Sequence, residues 1–172
     1  MVNVLVVYYS RKGENYMPGG VQVLEKGNTA YAAEFIRDAL DADLFEIEPV
    51  KAYPAGYQDC CKEAAAEART HSRPELAEYP ADLSSYDTIF VCYPNWCGTA
   101  PMCVFTFLEH YDLKGKKIVP VCTNEGSGLA NSELDIAKSC PGAHLVPGLS
   151  VRGHQVKDSA QSIADWARKQ ML

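Results

Sequence analysis

No apolar run in the 172 residues reaches the roughly 18 positions that a membrane-spanning helix needs. The apolar opening at residues 2–9 also lacks a preceding basic segment and a following small-residue cleavage site, so its pattern is that of a first strand and not of a signal peptide. These absences predict a soluble, cytoplasmic protein without a membrane partner.

Basic residues are fewer than acidic residues. The chain has 16 Lys and Arg against 22 Asp and Glu, which gives a formal net charge of −6. Because clustered Lys and Arg hold nucleic acids and anionic membranes, this balance argues against both as partners. An acidic surface instead suits docking onto a basic patch of another protein.

Cysteine pairing motifs are missing as well. The seven cysteines are odd in number and contain no CxxC spacing, a pattern typical of reduced thiols and not of a secreted disulfide framework. The adjacent Cys60 and Cys61 leave metal or redox chemistry open, although neighbouring side chains on a helix point about 100° apart.

Several functional signatures are also absent. The chain has no GxxxxGK[ST] and no GxGxxG after its first strand, which argues against a P-loop NTPase and a Rossmann dinucleotide site. The third apolar run ends in Cys92-Tyr93-Pro94, without the Asp that a phosphorylation receiver needs, and Ser10 stands where a small phosphatase would need its nucleophile. The four histidines show no metal-ligand spacing.

What the sequence does contain is a regular alternation of short β-rich apolar runs with stretches of helical spacing. The spacing predicts strands over residues 2–9, 44–47, 88–93, 117–122 and 145–151. This rhythm predicts one α/β domain over residues 1–172, in which helices cover both faces of a five-stranded parallel sheet.

The helical stretches have apolar stripes that we expect to face the core. The first stripe includes Ala32, Phe35 and Ile36, and the second includes Tyr57 and Cys61. Each stripe follows the i, i+3, i+4 spacing of one helix face.

Polar turn residues follow three of the predicted strands: residues 10–13 with 28–29, residues 94–99, and residues 123–128. In an open parallel sheet, ligands bind beyond the carboxyl ends of the strands, where the strand order reverses. One ligand is therefore expected to touch all three loops.

The first loop has the composition of a phosphate pocket, because hydroxyls and amides stand ahead of a helix start whose free N–H groups and dipole favour an anion. The alternative is that Ser10, Asn28 and Thr29 only cap that helix.

The second loop places Trp96 on a polar turn, where its ring can stack on a flat ligand while the Asn95 amide hydrogen-bonds to polar atoms at the ligand's edge. The alternative is that Trp96 covers a helix end.

Glycines in the second and third loops extend this interpretation. Gly98 allows a close backbone approach to a ligand because it has no Cβ. The third loop, residues 123–128, has two glycines and can present backbone N–H groups to a carbonyl edge, although an ordinary surface turn has the same composition.

Taken together, residues 5–13 with 28–29, residues 93–99 and residues 122–128 resemble the flavodoxin family across essentially the whole chain. The resemblance implies a flavodoxin-like three-layer sandwich of strand order 2-1-3-4-5 and one bound FMN. It implies that the phosphate is held by Ser10, Lys12, Asn28 and Thr29. It implies that the isoalloxazine ring is flanked by Pro94, Asn95, Trp96, Cys97 and Gly98. It implies contacts to the other ring edge from Thr123, Glu125, Gly126, Ser127 and Gly128.

The phosphate loop departs from the family pattern. Residues 14–27 interrupt it, and Lys12 stands where a hydroxyl is usual, so the chain is most similar to the branch with an insertion in this loop. The insertion contains Pro18-Gly19-Gly20 and an apolar alternation, which predicts a small β-ribbon.

The resemblance implies a low-potential electron carrier that docks with a reductase and an acceptor. The alternative is an NAD(P)H-dependent quinone or nitro reductase on the same fold. In the carrier, Glu125 is a candidate for the negative charge that disfavours an anionic reduced flavin; the alternative is a solvated carboxylate.

Overall fold

Alternating apolar strands build the central sheet of the computed structural model, which describes residues 2–172. In β1, Leu5 and Val7 pack into one core cluster, while Val4 and Val6 pack into another on the opposite face. This period of two is expected for a strand buried on both faces. The elements, in order, are β1 (Val4–Tyr8), β2 (Gly13–Met17), β3 (Gly20–Leu24), α1 (Asn28–Leu40), β4 (Asp43–Glu46), α2 (Tyr57–Thr70), β5 (Thr88–Pro94), α3 (Met102–Glu109), β6 (Lys117–Asn124), α4 (Ser132–Ser139), β7 (His144–Leu145), β8 (Leu149–Arg152), a 3-10 helix (Gly153–Ser159) and α5 (Ala160–Lys169).

The sheet is parallel throughout and runs in the order β4-β1-β5-β6-β7, with β8 also paired to β6. The predicted order 2-1-3-4-5 is confirmed. The predicted fifth strand differs in one respect, because it forms two short strands, β7 and β8. Pro147 lies between them and has no N–H to donate, and a Cβ on Gly148 would stand 2.7 Å from the carbonyl oxygen of Pro120.

Helices cover both faces of the sheet. Ile36 of α1 and Ile163 of α5 pack into the cluster on one face, and Val104 of α3 and Ile136 of α4 pack into the cluster on the other. This is the three-layer α/β arrangement that the sequence predicts.

Residues 13–24 form an antiparallel hairpin outside the main sheet. Met17 pairs with Gly20 across a turn in which Gly19 has φ +91°. A glycine is favoured there because a Cβ would be strained at positive φ. The β-ribbon predicted within residues 14–27 is therefore confirmed.

The hairpin is fastened to the segment before α2. The Arg11 guanidinium donates to the carbonyl oxygens of Pro54 and Ala55, each at 2.9 Å. The Tyr57 backbone N–H, at the start of α2, donates to Glu14 Oε2 at 2.6 Å. These bonds hold the hairpin beside the carboxyl end of β1.

Within the described part of the chain, no helix is both long and apolar enough to cross a membrane.

Candidate functional site

A cleft of about 360 Å³ opens at the carboxyl ends of β1, β5 and β6. All three predicted loops contribute to its wall. The predicted residues in the lining are Asn28, Thr29, Pro94, Asn95, Trp96, Cys97, Thr123, Glu125 and Ser127. The expected convergence of the three turns on one crevice is thus present in the structure.

Ser10 and Gly27 shape the first loop around the start of α1. The Ser10 Oγ accepts the Ala30 N–H at 3.1 Å, so Ser10 does cap this helix from outside it. Gly27 is the N-cap residue, and a Cβ there would stand 2.1 Å from Ser10 Oγ and 2.6 Å from the Arg11 carbonyl oxygen. The helix start can approach β1 only because Gly27 has no side chain.

Asn28 and Thr29 lie in the first turn of α1 and connect it to neighbouring segments. The hydroxyls of Thr29 and Thr123 are 2.7 Å apart, which joins the first loop to the third. Asn28 Nδ2 lies 3.5 Å from the Met17 sulfur of the hairpin. The N–H groups of this first turn have no partners within an α-helix, which makes the position suited to an anion.

The second loop is a tight turn across Cys97 and Gly98. Trp96 and Thr99 exchange backbone hydrogen bonds of 2.8 and 3.2 Å, and the two central residues have φ +56° and φ +79°. Positive φ at both positions is the signature of a type I′ turn. Asn95 Oδ1 accepts the Gly98 N–H at 3.1 Å, which closes the turn.

Asn95 also ties this loop to the third. Its Nδ2 donates to the Gly128 carbonyl oxygen at 2.8 Å. Together with the Thr29–Thr123 contact, this bond fixes the three loops relative to one another.

Trp96 is half-buried in an aromatic wall. Its ring meets Tyr9 and Tyr53 edge-on, with centroids 5.2 and 4.9 Å apart. Burial raises the pKa of both tyrosines, so their phenols stay neutral, and the Tyr53 hydroxyl donates to Glu67 Oε2 at 2.7 Å. These contacts hold the indole as a fixed part of the cleft wall.

Asn124, which the sequence analysis did not single out, organises the third loop. Its Oδ1 accepts the N–H groups of Gly126 and Gly128, both at 3.0 Å, and its Nδ2 donates to Ser150 Oγ at 2.8 Å. The two glycines have φ +132° and φ +67°, values that residues with a Cβ rarely adopt. The buried amide therefore fixes a loop that composition alone leaves undefined.

Glu125 is paired and not simply solvated. Its carboxylate accepts the backbone N–H of His154 at 2.8 Å and lies 2.6 Å from the His154 ring nitrogen Nδ1. These contacts hold the Glu125 carboxylate against the start of the 3-10 helix.

In the part of the chain that the structure describes, residues 2–172, some of the predicted residues do not line the cleft. Lys12 is exposed and does not line the cleft. Ser10, Gly98, Gly126 and Gly128 also lie outside it, but they set the shape of the three loops through the bonds described above.

The hairpin and α2 add a wall that the sequence analysis did not predict. The hairpin contributes Asn15 and Tyr16, and α2 contributes Tyr57, Cys60, Cys61 and Ala64; Arg11, Asn124 and Gly153 complete the lining from other segments. The stripe of α2 was expected to face the core, and Ala68 does pack against it, but Tyr57 and Cys61 line the cleft and Cys61 is exposed. The expectation was wrong because the hairpin, and not the sheet, meets this part of α2: the rings of Tyr16 and Tyr57 stack with centroids 6.4 Å apart.

The groups in the cleft wall fit a ligand that is both phosphorylated and planar. One part of the wall has a helix start with hydroxyl and amide side chains, which suits an anion. Another part has the rings of Trp96, Tyr16 and Tyr57, which suit a flat aromatic group. Among the described residues, no group of three or more His, Cys, Asp or Glu side chains is arranged to hold a metal ion.

Comparison with known proteins agrees with this arrangement. The sequence matches the family model described as Flavodoxin over residues 22–170. No curated protein matches the sequence.

Solved structures resemble the chain over nearly its whole length. A putative flavoprotein from Bacteroides uniformis is 29% identical, with a TM-score of 0.79 over 97% of this chain and 98% of that one. A putative flavoprotein from Bacteroides eggerthii is 27% identical, with a TM-score of 0.72 over 94% and 98%. A flavoprotein in complex with FMN from Lactobacillus acidophilus is 20% identical, with a TM-score of 0.66 over 92% and 98%, and supports the fold alone.

Proposed function

Because the chain belongs to the flavodoxin family, we propose that it binds one FMN in this cleft and carries electrons between partner proteins. The observation that carries the proposal is the convergence of three loops on one cleft, where the Thr29–Thr123 and Asn95–Gly128 hydrogen bonds hold them together. FMN supplies the reversible uptake of one or two electrons.

We assign the phosphate to the start of α1. Asn28 and Thr29 line the cleft there, and Ser10 holds the loop against the helix. The positive end of the helix dipole and its first N–H groups attract the phosphate charge. Lys12, exposed on the same loop, adds positive charge without a contact in the cleft wall.

We assign the flavin ring to the space between the second and third loops. Pro94, Asn95, Trp96 and Cys97 line one part of it, and Thr123, Glu125 and Ser127 line another. Gly98, Gly126 and Gly128 allow the backbone to adopt the turns that bring these residues close. The ring is held by stacking on Trp96 and by polar contacts from the loops.

Net charge and cysteine content are both compatible with the role of a carrier. The net charge of −6 suits transient docking onto basic patches of a reductase and an acceptor. A cytoplasmic location fits the seven free cysteines. The same charge disfavours nucleic acid and anionic membranes as partners.

The second candidate is an NAD(P)H-dependent quinone or nitro reductase on the same fold. One observation favours it: the hairpin and α2 add Tyr16 and Tyr57 to the cleft wall, beyond the three loops that the flavin needs. Such an extra wall is where a second small molecule would bind.

The two functions are separated by mixing the FMN-loaded protein with NADPH in the absence of oxygen. For a carrier, we expect slow bleaching of the visible flavin bands that becomes fast only when a separate flavodoxin reductase is added. Rapid bleaching by NADPH alone would contradict the carrier and favour the reductase.

A further inference from the structure

Two exposed thiols belong to the wall of the cleft. Cys61 lies on α2 and Cys97 lies in the turn after β5, and both line the cleft. Both side chains are exposed, whereas the other five cysteines are buried. Cys61 and Cys97 are thus the two solvent-accessible thiols of the chain, and they share one cavity.

The pKa of the Cys97 thiol lies above its ordinary value. Burial raises the pKa of the Cys97 thiol, and the neighbouring Cys61 raises it further. Both residues line the same cleft of about 360 Å³. Cys60, next to Cys61 in sequence, is not equivalent, because burial raises its pKa to about 11 and keeps its thiol protonated.

Cys97 also occupies an unusual backbone position. With φ +56° it is the first central residue of the type I′ turn, where Asn or Gly is favoured. A residue other than these is strained in the left-handed region. The turn nevertheless holds a cysteine at its exposed tip.

We propose that Cys61 and Cys97 form a redox-active pair that exchanges two electrons with the flavin in the same cleft, an inference that rests on the proposed FMN binding. On oxidation, the two S–H bonds break and one S–S bond forms between Cys61 and Cys97. The electron pair and the two protons pass to the oxidised flavin, which becomes fully reduced. In the reverse direction the reduced flavin returns them and the disulfide opens to two thiols.

The first test is made on the whole protein with and without FMN. The protein is oxidised with diamide, unreacted thiols are alkylated after denaturation, and linked peptides are identified by mass spectrometry. We expect one Cys61–Cys97 link and five alkylated cysteines of the seven. Seven alkylated cysteines, or a link between Cys60 and Cys61, would overturn the pair.

Matched variants make this result specific. Cys61→Ser and Cys97→Asn should each abolish the link, and Asn suits the type I′ turn, so the second variant keeps the loop. Cys140→Ser removes a buried cysteine outside the cleft and should leave the link intact. A link that persists in Cys97→Asn would overturn the assignment of its partner.

The second test counts electrons. The diamide-treated, FMN-loaded protein is titrated with dithionite in the absence of oxygen while flavin absorbance is recorded. Because a flavin and a disulfide each take up an electron pair, the wild type should need twice as much dithionite per flavin as Cys97→Asn. Equal amounts would overturn the exchange between thiols and flavin. A protein that holds no flavin would refute the proposed function, whereas the peptide link is measured independently of FMN.

Discussion

At the scale of single residues, the indole of Trp96 is the part of the cleft best prepared for a flat ligand. Tyr9 and Tyr53 hold it edge-on, so its orientation is set before any ligand arrives. A side chain that is already ordered loses little conformational entropy on binding, and more of the stacking energy appears as affinity.

Removal of this ring should therefore weaken binding. We expect Trp96→Ala to reduce FMN affinity by about 1–3 kcal/mol, the range found when bases lose an aromatic stacking partner. Titration of the apoprotein with FMN measures the change. Trp166→Phe is the matched control, because Trp166 lies on α5 and packs against Phe90 outside the cleft. Unchanged affinity in Trp96→Ala would refute the role of this residue.

Some residues of the cleft could be predicted from the sequence and others could not. Trp96 and Asn95 were identifiable because large aromatic and amide side chains are unusual on a turn that follows a buried strand. Asn124 was not, because its role depends on Ser150, a partner on a different strand that no local pattern reveals. The cleft residues of α2 were missed for a similar reason. Their apolar spacing is the same as that of a core-facing helix, and only the position of the hairpin shows that they line the cleft.

At the scale of elements, two helices that begin in the same way provide a controlled comparison. Gly27 and Gly56 are the N-cap residues of α1 and α2, and both have extended backbones. A Cβ on Gly27 would collide with Ser10 and Arg11, whereas the nearest atom to a Cβ on Gly56 is Asp59 Oδ2 at 3.7 Å.

We expect Gly27→Ala to lower the free energy of unfolding by about 1–3 kcal/mol more than Gly56→Ala, as is usual for overpacking. The helix-end effect is common to both variants and cancels in the difference. Urea denaturation measures stability, and FMN titration should show weaker binding for Gly27→Ala alone. Equal losses in the two variants would show that the close approach of the phosphate loop to α1 is not required.

The hairpin depends on its attachment to α2. The Tyr57 N–H has its acceptor in Glu14, so Glu14→Ala should cost about 0.5–2 kcal/mol, the range for a lost helix cap. Hydrogen exchange should become faster in residues 13–24 and at the start of α2. Glu25→Ala, a change at an exposed carboxylate near the end of the hairpin, serves as the control. Unaltered exchange in Glu14→Ala would contradict the attachment.

At the scale of the whole molecule, the main architecture was predictable and its deviations have local causes. The five apolar runs were enough to predict a parallel α/β sheet, because strands that alternate with helices form βαβ units, whereas the strand order came from the resemblance to the flavodoxin family. The split of the last strand follows from Pro147, whose missing N–H interrupts pairing with β6. The volume of the cleft was not predictable, because it depends on how far the hairpin lies from the three loops.

Stability of the whole fold should vary with pH through Glu67. Its partial burial raises its pKa above the ordinary glutamate value of 4.5, so the folded state binds this proton more tightly than the unfolded state. The contribution is present below pH 4.5 and is lost as pH rises through the raised value. Glu67→Gln should flatten the decline in unfolding free energy over this range, whereas the exposed Glu78→Gln should not. Parallel pH profiles for wild type and Glu67→Gln would contradict this assignment.

The central claim is that three loops hold one phosphorylated, planar cofactor, and calorimetric titration of the purified apoprotein with FMN and with riboflavin tests it most directly. The account predicts uptake of one FMN per chain, and at least tenfold weaker binding of riboflavin, about 1.4 kcal/mol, because riboflavin has no phosphate for the start of α1. Equal affinity for the two compounds would contradict the phosphate site, and no uptake of FMN would contradict the whole account.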